Sequence, residues 1–281
     1  MINLHCPGAS KQKGFSLLEL MIAVTIGLIV MATVVTFMMA SFKSNSEYVQ
    51  STRLTQELRN TLDLATRDLE RAGYDDDALA YVANANVSPF SPVCVTTAAS
   101  PTTCLAATPA IGDAIGSCVI YAYDRTYPNG TSTASGTPGV LDVGNGEVRG
   151  LRRSSVTTFN GQTVGVLEYA HSSGTTKPSC DGATANYSTY PATCNSTSLW
   201  CPLSDTSKLD VTALSLENNV NSVTGSGNEL GIRRIDLAIS GKLANLNGSS
   251  EVITRNVQSS VKIRSDCIRT TGSYSACSSV P

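Results

Sequence analysis

Hydrophobic residues are spread along this chain in three regimes. From Phe15 to Phe42 they are almost continuous, FSLLELMIAVTIGLIVMATVVTFMMASF, with one charge, Glu19, among them. The run exceeds the ~20 apolar residues that carry a helix across a bilayer. After Lys43 polarity rises but helical spacing persists. Leu58, Leu62, Ala65, Leu69 and Ala72 recur every three or four positions, and Arg53, Glu57, Arg59, Asp63, Arg67, Asp68 and Arg71 fill the other faces. Gly73 is a natural stop. The pattern predicts one helix from Phe15 to Ala72. Its first half is apolar all round and its second half is the amphipathic spine of a head domain. Gly27 is its single weak helix former, and no proline occurs between residues 15 and 88.

Beyond Gly73 the period changes to that of strands. Ala114–Tyr123, Gly146–Ser154, Val164–His171, Leu209–Leu216, Gly231–Ser240 and Ile253–Arg264 read as strands. Turn-rich stretches such as Pro128–Gly139 and Leu243–Ser250 separate them. The economical arrangement is α+β, with one antiparallel sheet packed on the carboxy-terminal half of the helix. The expected divisions are a leader over 1–14, a membrane-spanning or filament-core helix over 15–42, its amphipathic extension over 43–73 and a β-rich head over 74–281.

Charge and cysteine usage then place the chain. Lys11 and Lys13 precede the apolar run, and the next cation, Lys43, lies past its far end. By the positive-inside rule residues before the run stay in the cytoplasm and everything after residue 43 is exported. Nine cysteines occur, an awkward count for a compartment in which disulfides persist. Removal of residues 1–14 takes Cys6 away and leaves an even set: Cys94, Cys104, Cys118, Cys180, Cys194, Cys201, Cys267 and Cys277. A secretory signal would carry small residues at a cut site after a shorter apolar core. Here the small residue, Gly14, lies before the run, so a cut after it leaves the helix on the product. Cys94 with Cys104 and Cys267 with Cys277 are both C-x9-C. Cys180 with Cys194 could close a somewhat longer loop, leaving Cys118 for Cys201, although eight cysteines allow 105 pairings.

The segment Lys13-Gly14-Phe15-Ser16-Leu17-Leu18-Glu19-Leu20-Met21-Ile22-Ala23 resembles the class III signal of type IV prepilins. The resemblance implies that a membrane aspartyl peptidase cuts after Gly14 and methylates the new amine of Phe15. It also implies that Glu19 pairs with that amine on a neighbouring subunit. A carboxylate inside a membrane is costly and normally has a partner, although one near the interface can also reach water. Major pilins carry a helix-breaking proline about two-thirds along the apolar segment. Thr36 stands there in this chain, which suits the unbroken helix of minor pilins. Looser patches resemble PilW-type minor pilins: residues 62–74, Tyr121-Ala122-Tyr123-Asp124-Arg125, Gly150-Leu151-Arg152-Arg153, Arg234-Ile235-Asp236-Leu237 and residues 261–266. They imply a role in starting a pilus, within a minor-pilin complex near its tip. The implied partners are prepilin peptidase, other minor and major pilins and inner-membrane assembly machinery. The implied location is the inner membrane, with the head in the periplasm, and then the pilus.

Other classes fit less well. A formal charge of −2 argues against a dedicated nucleic-acid binder. Arg152-Arg153 and Arg233-Arg234 are scattered, and strand alternation exposes one of each pair, so they read as solvated or interface groups. Beyond the leader there is one histidine, His171, and no nucleophile elbow, zincin or phosphate-loop motif, so an enzyme is not expected. Zinc would need tighter cysteine spacings and histidines. Asp75-Asp76-Asp77 lacks the glycine and distant glutamate of a calcium loop and reads as a solvated turn. No cofactor or metal is expected. A minor pseudopilin of a type II secretion system shares the same signal and helix and is the nearest alternative; a DNA-uptake or adhesive binding module is a more distant one.

Overall fold

A computed structural model describes residues 14, 16–78, 88–105, 115–125, 137–223, 229–243, 253–263, 267–269 and 279–281. The chain divides into two compact units, residues 1–50 and 51–281. The first unit holds most of a single helix, α1, Leu17–Leu69, whose carboxy-terminal part belongs to the second unit. Leu17–Leu69 is one unbroken element through Gly27 and Thr36. The α-helix stops three residues before Ala72. The chain then leaves by tight turns, and Gly73, at φ +75°, adopts the left-handed conformation that glycine takes without a Cβ clash. The Gly73 amide donates to the carbonyl of Ala122, 2.8 Å away, and so ties the helix end to the sheet.

The head contains two antiparallel sheets. The first joins β1 (Val93–Thr96), β2 (Cys118–Ala122), β3 (Val148–Thr157), β4 (Thr163–His171) and β5 (Trp200–Pro202), in that order. The second joins β6 (Leu209–Val223), β7 (Glu229–Leu243) and β8 (Thr254–Lys262), with β9 (Cys267–Arg269) continuing along β7 beyond β8. A single sheet is therefore not what forms. Between β5 and β6 the chain turns at Asp205, whose carboxylate accepts from the Ser207 amide at 2.9 Å. β6 then runs against β4 instead of extending the first sheet. The approach is close enough that a Cβ on Gly165 would lie 1.9 Å from the Val211 carbonyl oxygen. That carbonyl sits beside a register shift in β6 and accepts from Arg153 Nε at 2.7 Å. The Gly165 amide donates to Asp210 Oδ1 at 2.7 Å. Gly116 and Leu216 form a further bridge between the sheets.

The predicted stripe is the centre of the core. Leu54, Leu58, Leu62, Ala65, Leu69 and Ala72 are all buried. They pack with Val119, Tyr121 and Leu151 of the first sheet and with Leu209, Leu216, Ile235 and Leu237 of the second. Fully burying each large aliphatic side chain is worth roughly 1.5–3 kcal/mol. Every residue of β2 is buried, because the sheet is covered on both faces. Alternation sends Val119 and Tyr121 to the helix side, and Cys118, Ile120 and Ala122 to a second cluster with Phe90 and Trp200.

An ion pair lies under that second cover. Arg152 and Glu168, opposite each other on β3 and β4, are 4% and 0% exposed. Arg152 Nε donates to Glu168 Oε2 at 2.8 Å. Its Nη1 reaches the carbonyls of Cys180 and Gly182 at 2.9 and 2.7 Å, and its guanidinium sits 4.1 Å over the Trp200 ring. Glu168 also accepts from Ser154 Oγ, the Ala185 amide and the Tyr187 hydroxyl. Burial lowers the Arg152 pKa, and the Glu168 charge opposes that; burial and the same carboxylate hold the Tyr187 phenol up. Arg152 is thus no solvated group. The face where alternation places it is roofed by a long strand-poor segment, residues 172–199. Arg153 is half-buried on Val211, and Arg233 is fully buried, while Arg234 is exposed on Asp236.

Three disulfides are present among the described residues: Cys94–Cys104, Cys118–Cys180 and Cys194–Cys201. The last two exchange the partners that loop length favoured. Cys118 faces the roof from β2, directly beneath residue 180, and Cys201 in β5 lies beside the short loop that starts at Cys194. Cys277 lies outside the described residues, and with it the expected Cys267–Cys277 bridge.

Two predictions follow from the roof. In the chain-entropy model the 62-residue separation of Cys118–Cys180 is worth about 4 kcal/mol and the 7-residue separation of Cys194–Cys201 about 2 kcal/mol. Serine at both positions of the first pair should lower the midpoint of urea denaturation more than serine at both positions of the second. Arg152→Met leaves Glu168 buried and unpaired and should cost roughly 3–5 kcal/mol. Trp200, the sole tryptophan, reports that loss directly through its fluorescence during unfolding.

Candidate anchoring and assembly site

The first unit exposes what a water-soluble protein would bury. Every described residue from Ser16 to Phe42 is exposed, including the large aliphatic and aromatic ones. The helix carries a window long and apolar enough to cross a membrane, none of it buried. Left in water that surface is unfavourable; lipid, or a bundle of like helices, removes the cost. Its three threonines are satisfied internally. Thr25 Oγ1 donates to the Ile22 carbonyl at 2.9 Å, Thr33 to Val30 at 2.7 Å and Thr36 to Thr33 at 2.8 Å. These back-bonds let hydroxyls sit in a hydrocarbon setting without an orphaned donor.

Glu19 is different. It stands in the first turn of α1, where the unpaired amides of a helix start favour an anion. It is exposed and makes no hydrogen bond or ion pair among the described residues. Helical bonding begins beside it, with the Leu20 amide on the Ser16 carbonyl at 3.1 Å. Gly14 precedes the helix in an exposed position, and a Cβ built on it meets nothing within 4 Å. Phe15, the leader cations and Cys6 fall outside the described residues. The structure thus brings Gly14 and Glu19 to one end of α1, with an accessible backbone at the first and a carboxylate open to a partner at the second.

In the head, the acidic run forms local bonds. Asp75 accepts from the Asp77 amide at 2.9 Å and from Ser88 Oγ at 2.5 Å, and Asp76 from the Tyr74 hydroxyl at 3.0 Å. His171 Nδ1 lies 3.3 Å from the Ser172 carbonyl oxygen. No cluster of three metal-ligating side chains occurs among the described residues.

A polar strut was not foreseen. Asp68, on α1 beside the buried stripe, accepts from the hydroxyls of Tyr121 and Tyr123 at 2.5 and 2.9 Å. Arg149 lies 3.9 Å from the same carboxylate and 5.2 Å over the Tyr123 ring. Burial first, and then the negative charge of Asp68, raise the pKa of both tyrosines, Tyr121 well above the usual phenol range. The alternation Tyr-x-Tyr, which puts both rings on the helix side of the sheet, was the available signal. Two of the sequence patches quoted above, residues 62–74 and 121–125, meet here. Residues 67–74 pack on 121–125 through the strut, through Gly73 and through the Asp124 amide, which donates to the Tyr74 carbonyl at 2.9 Å.

Two family models match the chain. The prokaryotic N-terminal methylation motif covers residues 9–35, across the Gly14 position and the start of the apolar helix. The model for prepilin peptidase-dependent protein B covers residues 47–263, which is most of the second unit. Neither a curated protein nor a solved structure matches significantly. The methylation motif, the exposed apolar helix and the disulfide-bonded β head together describe a type IV pilin-like protein that depends on prepilin peptidase and is anchored by its amino-terminal helix. The chain belongs to the prepilin peptidase-dependent protein B family.

Proposed function

We propose that this protein is a minor pilin of a type IV pilus, and that it helps initiate the filament in a complex with other minor pilins near the tip. The unbroken helix α1 with a lone carboxylate in its first turn carries the reading. Before assembly the chain sits in the inner membrane with its amino terminus in the cytoplasm and its head in the periplasm, where the disulfides form. Prepilin peptidase cuts after Gly14 and methylates the amine of Phe15. Other pilins and the inner-membrane assembly machinery then draw α1 out of lipid into a bundle of helices.

Glu19 supplies specificity in that transfer. A residue four along a helix lies about one turn away on the same face. Its carboxylate therefore meets the new amine of a neighbour shifted by about a turn. Each charge alone is unfavourable in an apolar bundle, and together they offset one another. The surrounding threonines contribute nothing to this choice, since their hydroxyls are already bonded within α1.

Mass spectrometry of the mature protein should find methylated Phe15 as its first residue, and Gly14→Glu should accumulate uncut. An amino terminus at Met1, or beyond residue 40, contradicts this. Glu19→Leu should leave processing, membrane level and head disulfides unchanged. Its amount in sheared filaments should fall about tenfold or more, the equivalent of ~1.4 kcal/mol or more of lost docking energy, with Glu19→Asp between. Wild-type filament entry by Glu19→Leu would overturn the pairing role. Filament yield that does not depend on the chain at all would overturn the assembly reading.

A further inference from the structure

Beside α1 the second unit has an open groove of about 330 Å³. One wall is the end of the helix, from Leu64 through Asp68, and the turn after it at Arg71; the other is formed by Tyr121, Leu151 and Tyr169 of the first sheet, with Leu203. Three observations set it apart from ordinary surface. Leu64 is 57% exposed at its rim, on the same helix whose other leucines from 54 to 69 are buried. Tyr169 is exposed across from it. The charged lining is three arginines, Arg67, Arg71 and Arg149, around a single carboxylate, Asp68. Tyrosine and arginine around a concave apolar floor are the composition of an anchor pocket at a protein interface.

The charges select the occupant. Three arginines against the one carboxylate of Asp68, which also accepts from two tyrosine hydroxyls and lies 3.9 Å from Arg149, leave the lining with a net positive charge. Arg67 is held by Asp63 at 2.9 Å, but both are largely exposed, 71% and 59%, in a pair along one helix. Such a pair contributes little and rearranges at little cost. An incoming carboxylate can take over the Arg67 fork, while an aliphatic side chain beside it covers Leu64 and fills the floor. A cationic or purely polar segment gains neither contact.

The geometry points to a docking groove for a neighbouring pilin-family subunit, entered by a short segment that carries a carboxylate next to aliphatic residues. The inference rests on the assembly reading above and specifies its contact. The volume admits two or three side chains, so it acts as an anchor point within a larger interface.

Replacing Leu64 with the photo-crosslinker p-benzoylphenylalanine in the full chain, in its own host, tests this. Leu64 is exposed, so membrane level and disulfides should match the wild type. Illumination should join position 64 to a different pilin-family protein, and peptide mapping should place the bond in a segment with Asp or Glu within a few residues of Leu, Ile or Val. The same crosslinker at Asp77, exposed and outside the groove, should give no such product. Arg67→Glu should lower the crosslink yield about tenfold, as expected for a central interface arginine, while Arg67→Lys keeps part of it. Lack of a crosslink above the Asp77 control, a product with lipid or a second copy of this chain, a partner segment without a carboxylate, or an unchanged yield in Arg67→Glu would each overturn the groove. If any of these occurs while Glu19→Leu still blocks filament entry, the groove alone fails and the assembly reading stands.

Discussion

The head is organised by one apolar stripe, four turns long, on the carboxy-terminal part of α1. Leu54, Leu58, Leu62, Ala65 and Leu69 are the side chains on which two separate sheets converge. Neither sheet alone could bury its inner face, since each has only a few strands and they meet edge to edge at limited points. Gly116 with Leu216, and Gly165 with Val211, are the places where the backbones approach. A glycine at each keeps the sheets near enough to share a helix. The Asp68 carboxylate then fixes how the helix is rotated on the first sheet, because only one rotation presents it to both tyrosines.

The opposite face of the first sheet follows a different logic. It is covered by a long stretch with little regular structure, whose backbone groups must still find partners. Arg152 supplies several at once: its guanidinium gathers the carbonyls of Cys180, Gly182 and Ala183, and Glu168 holds the amide of Ala185. A buried ion pair is weak evidence of stability in itself. Here its value lies in donors and acceptors that an apolar pair could not offer to an irregular loop. The Cys118–Cys180 bridge then limits how far that loop can leave when unfolded.

Periodicity made some features legible and geometry hid others. The helical stripe and six of the strands announce themselves by spacing, and Gly73 marks the turn out of the helix by its freedom at positive φ. The short strands β1, β5 and β9 are too brief for a period to show. The division into two sheets was hidden because strand alternation reports which face is buried and not which neighbour buries it. Arg152 was hidden for the same reason, since a solvent face and a roofed face look alike until the roof is placed. The cysteine pairing outside Cys94–Cys104 depended on which residues the roof laid over β2, a long-range fact. At the amino terminus, by contrast, register along one helix is the whole signal, and the methylation motif matches there over residues 9–35.

The disulfides and α1 divide mechanical duties. No cysteine lies in Leu17–Leu69, so apart from the backbone that runs on past Leu69 the helix is held to the head by non-covalent contacts, among them the leucine stripe, the Asp68 strut and the Gly73–Ala122 bond. These yield by separation. The covalent crosslinks sit elsewhere, closing 94–104, 118–180 and 194–201 against stretching. Under tension the joint between helix and sheets is therefore the compliant element. If it gives way, the loops beyond it stay short, because the slack within each closed ring is unavailable to the applied force.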